Sequence, residues 1–126
     1  MNTQRVCFAF FIVLALTLNF GFFVGEIDNP LHHNLYELFF ALVVSLIATV
    51  LKIGDRSHLG AVLLATSLVA DLQLIVAVVM WGYAAQVTGE ISVSVMASIV
   101  SLAGGAMLAN ITSVTLLIAE TIQLKR

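Results

Sequence analysis

Apolar residues along this chain fall into four long runs, separated by short polar segments. The runs cover residues 6–24, 30–51, 59–83 and 95–118. About 20 mainly apolar residues in helical form span the roughly 30 Å hydrocarbon core of a bilayer. Asn29 and Pro30 suit the N-cap and first helical position of the second run. The pattern predicts a single domain over 1–126: an all-α polytopic membrane protein with four transmembrane helices in an up-down bundle.

Composition excludes several classes of protein. The chain is 61% hydrophobic and 10% charged, with a mean hydropathy of +1.12, whereas a soluble domain carries about 25% charged residues. It has no basic surface for nucleic acid, no nucleophile with a positioned base, no His-rich cluster and no phosphate loop. We therefore predict no enzymatic activity, no nucleic-acid binding, no bound metal and no cofactor.

The charged residues between the runs are sorted by sign. The basic residues lie before the first run, between the second and third, and after the fourth: Arg5, Lys52, Arg56, Lys125 and Arg126. In the connections between the first and second runs and between the third and fourth runs, all charged residues are acidic: Glu26, Asp28 and Glu90. The positive-inside rule then predicts that both termini are cytoplasmic. So strong a bias also favours a parallel homo-oligomer, surrounded by membrane lipid.

Asp71 lies near the middle of the third run, where a charged carboxylate costs about 2.5–3.5 kcal/mol even on a lenient insertion scale. Ser67 precedes it by one turn on the same helix face. We assign both residues, with Asn19 of the first run, to an ion pathway or proton-binding site. The alternative is a neutral Asp71 that fixes helix packing. Its candidate hydrogen-bond partners are groups at comparable depth: Asn19, Thr17, Ser45, and Ser101 with Gly105.

Glu37 is the second acid inside an apolar run, and His33 lies four residues earlier on the same helical face. Two such ligands are too few for a metal site. With Glu26, Asp28 and Glu90 they predict an outer mouth that attracts cations. The alternative is an interfacial salt bridge or a solvated helix N-terminus, where the helix dipole favours carboxylates.

Small residues recur every four positions in the fourth run and form one stripe: Ala97, Ser101, Gly105, Ala109 and Ser113. Small side chains allow two membrane helices to approach closely, so the stripe predicts a helix-packing interface. A pore lined by small polar residues is the other interpretation. At the inner side, Lys52 and Arg56 could bind anionic headgroups or simply set the orientation. Glu120 is expected to pair with Lys125 or Arg56.

Several stretches carry a family resemblance. They cover residues 14–22, 25–30, 60–74 and 96–105, with the sequences LALTLNFGF, GEIDNP, GAVLLATSLVADLQL and MASIVSLAGG. The chain resembles a family of small four-helix inner-membrane proteins of proteobacteria that has no known function. The resemblance implies the same topology and a bacterial inner-membrane location. It brings no catalytic residues.

Two functions are compatible with these features. The first is a homo-oligomeric channel or transporter for an inorganic cation or a proton, using Asp71 at mid-membrane and Glu37 at the outer mouth, since rings of carboxylates select cations. The second is a non-transporting accessory or regulatory subunit of a larger membrane complex. In that case the small-residue stripe is the docking face and Asp71 is structural.

Overall fold

The computed structural model describes residues 3–24 and 35–124, excluding the side chain of Leu124. Within these ranges the chain forms four α-helices and no strand: α1 (Thr3–Phe23), α2 (Leu35–Lys52), α3 (His58–Tyr83) and α4 (Val93–Leu124). Each is long and apolar enough to cross a membrane, which confirms the prediction of an all-helical protein with four such helices. The predicted mouth residues Glu26, Asp28 and His33, and the basic Lys125 and Arg126, lie outside the described residues.

The turn between α2 and α3 is built by residues suited to helix ends. Gly54 follows α2 with a φ of 105°, a left-handed conformation that glycine adopts without a Cβ clash. Ser57 is the N-cap of α3 and accepts a hydrogen bond from the Gly60 backbone N–H at 2.9 Å. Asp55 in turn accepts hydrogen bonds from the backbone N–H and the hydroxyl of Ser57. These bonds hold α2 and α3 side by side.

The connection between α3 and α4 begins with a widened turn. One turn of π-helix over Ala84–Thr88 continues α3, and Gly89 ends it with a φ of 85°. Ser92 then caps α4, since its hydroxyl accepts from the backbone N–H of Val95 at 3.2 Å. Helix α4 begins at Val93 and continues to Leu124, beyond the apolar run at 95–118 that marked it in the sequence.

Neighbouring helices form a closed ring, in which α1 and α3 each pack against both α2 and α4. The Gln4 amide at the start of α1 donates to the Leu51 carbonyl near the end of α2. Arg5 pairs with Glu120 near the end of α4. These contacts join the beginning of one helix to the end of its neighbour, so adjacent helices run in opposite directions.

The two ends of the bundle differ in charge. All three described Lys and Arg residues lie at one end, here named the basic end: Arg5, Lys52 and Arg56. The opposite end, named the acidic end, carries Glu37 and Glu90. The ring of Phe22 lies 6.1 Å from that of Trp81 in the acidic half.

The buried apolar residues form two clusters rather than one. The larger cluster occupies the acidic half and includes Phe22, Leu38, Leu74, Met96 and Ile99, among others. The smaller cluster occupies the basic half: Phe8, Ile12, Ala48 and Leu63. Each helix carries a buried polar residue between its contacts with the two clusters, and α3 carries two. We call this set the polar layer: Asn19, Ser45, Ser67, Asp71 and Asn110. On α4 the contact with the smaller cluster is made by partly buried residues such as Val114 and Leu117.

Replacing Gly60 with alanine should destabilise the protein, although alanine is the better helix former. A Cβ at residue 60 would collide with the carboxyl group of Asp55, which Ser57 and Lys52 hold in place. Gly82 is the matched control because a Cβ there meets nothing within 4 Å. Gly82→Ala should therefore gain up to about 1 kcal/mol. Thermal unfolding in mild detergent measures both, and a Gly60→Ala variant as stable as Gly82→Ala would contradict the prediction.

Candidate functional site at the centre of the bundle

The carboxyl group of Asp71 lies between α2 and α3 and is held by two hydroxyl groups. The Ser45 hydroxyl donates to Asp71 Oδ1 at 2.6 Å, and the Thr49 hydroxyl lies 2.5 Å from Asp71 Oδ2. All three side chains are buried, with Asp71 only 5% exposed. Among the described residues Asp71 has no ion-pair partner. The buried carboxyl of Asp71 is thus met by two neutral hydroxyl groups and by no cation among the described residues.

The local sequence explains this arrangement. Ser45 and Thr49 are four residues apart on α2, so their hydroxyls lie one above the other on one helix face. That face packs against α3 where Asp71 projects from it. Thr49 Oγ1 is also 3.0 Å from the carbonyl oxygen of Ser45, as hydroxyls inside helices often are. The two α2 hydroxyls therefore form a clamp with one arm for each oxygen of Asp71.

The rest of the polar layer is buried without protein hydrogen bonds. Asn19 and Asn110 are 0% exposed, and neither end of either amide has a hydrogen-bond partner among the described residues. The Ser67 hydroxyl, one turn before Asp71, is likewise buried and unpaired there. Each unmet buried group costs about 1–3 kcal/mol. Such groups in proteins are usually met by ordered water or an ion.

The basic end places charged groups one turn from the clamp. Lys52 follows Thr49 by three residues and is 5% exposed, which is rare for lysine. Its ammonium group lies 3.2 Å from Asp55 Oδ2 and 4.5 Å from the centre of the Phe8 ring. Hydrogen bonds from the Ser57 hydroxyl and backbone, then from Lys52, lower the pKa of Asp55 from 3.8 to about 2. Asp55 is therefore ionised at every physiological pH.

The charged residues of the acidic end lie farther from the clamp than Lys52 does. Glu37 is half-buried beside Gly21 of α1, where its carboxyl fills the space that a Cβ would take. It lies eight residues before Ser45 on α2, about 12 Å along the helix axis. Glu90 is exposed just after the π-helical turn. The larger apolar cluster separates this end from the polar layer, so the structure does not bring Glu37 and Asp71 together.

The small-residue stripe on α4 divides into two parts. Gly105 lies against the Gln73 side chain of α3, and Ser113 shares a 2.6 Å hydrogen bond with Thr66 of the same helix. Ala109 is half-buried. Ala97 is only half-buried and Ser101 is exposed, so the part near the acidic end faces outward. One half of the stripe therefore packs within the protomer.

Sequence reasoning found part of this site. Ser45 was one of the candidate partners of Asp71 and is confirmed as one. Asn19 and Ser101 form no hydrogen bond with Asp71, and Thr17 bonds to its own helix. Thr49 was missed, although its spacing from Ser45 was readable. Asn110 was missed as a member of the polar layer. Glu120 pairs with Arg5 at 2.9 Å and not with Arg56; its other expected partner, Lys125, lies outside the described residues.

The described residues include no group of three or more His, Cys, Asp or Glu side chains placed to hold a metal ion. Four long apolar helices around a buried polar layer suggest a multi-pass membrane protein. The chain belongs to the family described as "Family of unknown function (DUF6394)", which matches residues 32–121. The predicted resemblance to an uncharacterised family is thereby confirmed. No curated protein and no solved structure matches the chain significantly.

Thr49→Val should destabilise the protein by about 1–3 kcal/mol, because valine preserves shape but leaves Asp71 Oδ2 without its hydroxyl partner. Thr66→Val is the control: it removes the hydroxyl of a comparable pair between α3 and α4 that contains no carboxyl. Denaturant unfolding in detergent compares the two variants. Equal losses would mean that the clamp on Asp71 has no special importance.

Proposed function

We propose that this protein is a proton-translocating membrane protein in which Asp71 binds and releases the proton inside each protomer. The observation that carries the proposal is the hydroxyl clamp around a buried carboxyl with no ion-pair partner among the described residues. An ionisable group at mid-membrane is by default a functional candidate, and proton relays commonly use such acids.

The clamp can accommodate the hydrogen of a protonated Asp71. A hydroxyl carries one hydrogen and donates to one acceptor at a time. If Oδ2 of Asp71 is protonated, it donates to Thr49, Thr49 donates to the Ser45 carbonyl, and Ser45 donates to Oδ1. Each of the three short contacts then holds one hydrogen. This arrangement spares the membrane interior a negative charge.

A proton suits this site better than a metal cation. Hard cations require several oxygen ligands around an open centre. Both oxygens of Asp71 are already occupied by hydroxyls at 2.5–2.6 Å, and no second carboxylate joins them among the described residues. A proton needs only one acceptor. The unpaired polar atoms of Asn19, Ser67 and Asn110 are suited to bind water molecules that could relay it.

The proton would reach Asp71 from the basic end. Thr49, Lys52 and Asp55 form a sequence of polar groups from the clamp to that surface. The larger apolar cluster closes the other side. Following the positive-inside rule, we propose that the basic end and both termini face the cytoplasm of a bacterial inner membrane. A homo-oligomer is compatible with this path but is not needed to form it, because Asp71 faces α2 of its own chain.

Proteoliposomes with a trapped pH indicator should show proton uptake when a membrane potential is imposed. Asp71→Asn should reduce the flux to that of protein-free vesicles, because an amide occupies the same clamp but exchanges no proton. Glu37→Gln is the control, since it neutralises a carboxyl outside the polar layer and should leave most of the flux. Unchanged flux in Asp71→Asn would rule out its role as the carrier.

An accessory subunit is the second candidate, and one observation favours it. The outward-facing part of the α4 stripe borders an open groove of about 580 Å³ whose lining includes Ser94, Ala97, Ser98 and Ser101. Small residues of this kind allow another membrane helix to approach closely.

If this candidate is correct, the protein should copurify in mild detergent with a different membrane protein at fixed stoichiometry. Ser101→Leu should release that partner by filling the groove. Thr112→Leu, at another exposed position of α4, should retain it. Recovery of a closed homo-oligomer alone would count against an accessory role.

A further inference from the structure

A polar cleft at the basic end brings together residues from α1 and from the turn between α2 and α3. Its volume is about 290 Å³, and it is lined by Gln4, Arg5, Lys52, Gly54, Asp55 and Arg56. Arg5 stands far from the other two cations in sequence. The fold therefore creates a three-cation site that neither segment has alone.

The cations of the cleft retain unused hydrogen-bond donors. Arg5 gives one nitrogen to Glu120, leaving most of its five N–H donors available. Lys52 is buried against Phe8 and pairs with Asp55 through one of its three N–H donors. Arg56 is exposed and forms no hydrogen bond or ion pair with the residues that the structure describes. These donors converge on one concave surface.

The charges that line the cleft do not cancel. Three cations and one carboxylate, Asp55, line the cleft, and Ser57 and Lys52 already engage the two oxygens of Asp55. A second carboxylate, Glu120, pairs with Arg5 from outside the lining, so one positive charge remains in surplus. An anion entering the cleft would thus meet surplus positive charge and free donors. Planar guanidinium groups recognise phosphate oxygens in bidentate fashion, and a lysine adds a point charge.

We propose that this cleft binds a phosphate group, and that the phosphate belongs to the headgroup of an anionic membrane lipid. The cleft lies at the end of helices that are long and apolar enough to cross a membrane, and basic pockets at the ends of such helices bind anionic headgroups. Free inorganic phosphate offers the same chemistry from solution. The inference does not depend on Asp71 or its clamp, although Lys52 and Asp55 of the cleft also lie on the proposed proton path.

The test measures thermal unfolding of the full chain in nanodiscs of phosphatidylcholine, with and without phosphatidylglycerol. The anionic lipid should raise the unfolding temperature of the wild type. Arg56→Gln should lose most of that shift. Because the Arg56 side chain makes no hydrogen bond or ion pair with the described residues, the substitution should leave the fold intact. His58→Gln, in the same turn but outside the cleft lining, should keep it. Native mass spectrometry should show phosphatidylglycerol retained by wild type and His58→Gln but depleted from Arg56→Gln.

The remaining outcomes are equally informative. Equal stabilisation of wild type and Arg56→Gln would mean a diffuse surface-charge effect and would overturn the proposal. A matching shift produced by inorganic phosphate in pure phosphatidylcholine, lost in Arg56→Gln, would support the phosphate site but reject lipid as its ligand. The lipid-dependent shift can be present even if the proteoliposomes show no proton flux through Asp71. Failure of one proposal can therefore be distinguished from failure of the other.

Discussion

A carboxyl group among apolar membrane helices must find its hydrogen-bond donors within the protein, because lipid tails provide none. Asp71 meets this requirement through two hydroxyls of α2, and that contact fixes the relative rotation and height of α2 and α3. The alignment sets Ser45 between the two apolar clusters and puts Lys52 at the basic end. Much of the bundle's interior organisation can be traced to this one interaction.

The two halves of the bundle have different physical characters. The basic half combines a small apolar cluster with a buried lysine, an ion pair and a polar cleft. The acidic half is filled mainly by apolar side chains, with Glu37 held at its edge beside α1. Among the described residues, the charged groups closest to the clamp along α2 therefore lie on its basic side. This asymmetry follows from which positions along each helix are polar, and it is already present in a single protomer.

The sequence predicted the helices well because long apolar runs have one dominant explanation in a bilayer. Depth was also readable: Asp71 and Ser45 were recognised as residues of the middle. Their contact was not readable, since depth gives a residue's height but not the face that meets a neighbour. Thr49 was missed although its four-residue spacing from Ser45 defines a shared face. Arg5 and Glu120 are 115 residues apart, and only the closure of the ring by α1 and α4 explains their pairing.

The small-residue stripe on α4 is a second case in which a sequence pattern did not predict the contacts. Its regular spacing predicted one interface, yet its members meet different surroundings, because Ser113 contacts α3 while Ser101 is exposed. With 3.6 residues per turn, each four-residue step rotates about 40° beyond a full circle, so Ser101 and Ser113 face different sides of α4. Ile99 and Val100, just before Ser101, remain fully buried in the larger cluster. A repeat of four residues therefore winds around a long helix and does not stay on one face.

The unequal apolar clusters also determine where an electric field acts on this protein. A membrane potential drops mainly across regions that exclude water and polar groups, and it is worth about 2.3 kcal/mol per elementary charge for each 100 mV. In this bundle the more extensive region of this kind is the larger cluster in the acidic half, and the smaller cluster occupies the basic half. A charge passing between the basic end and Asp71 would cross only a minor fraction of the voltage. Most of the electrical work would be concentrated in the step past Phe22, Leu38 and Leu74.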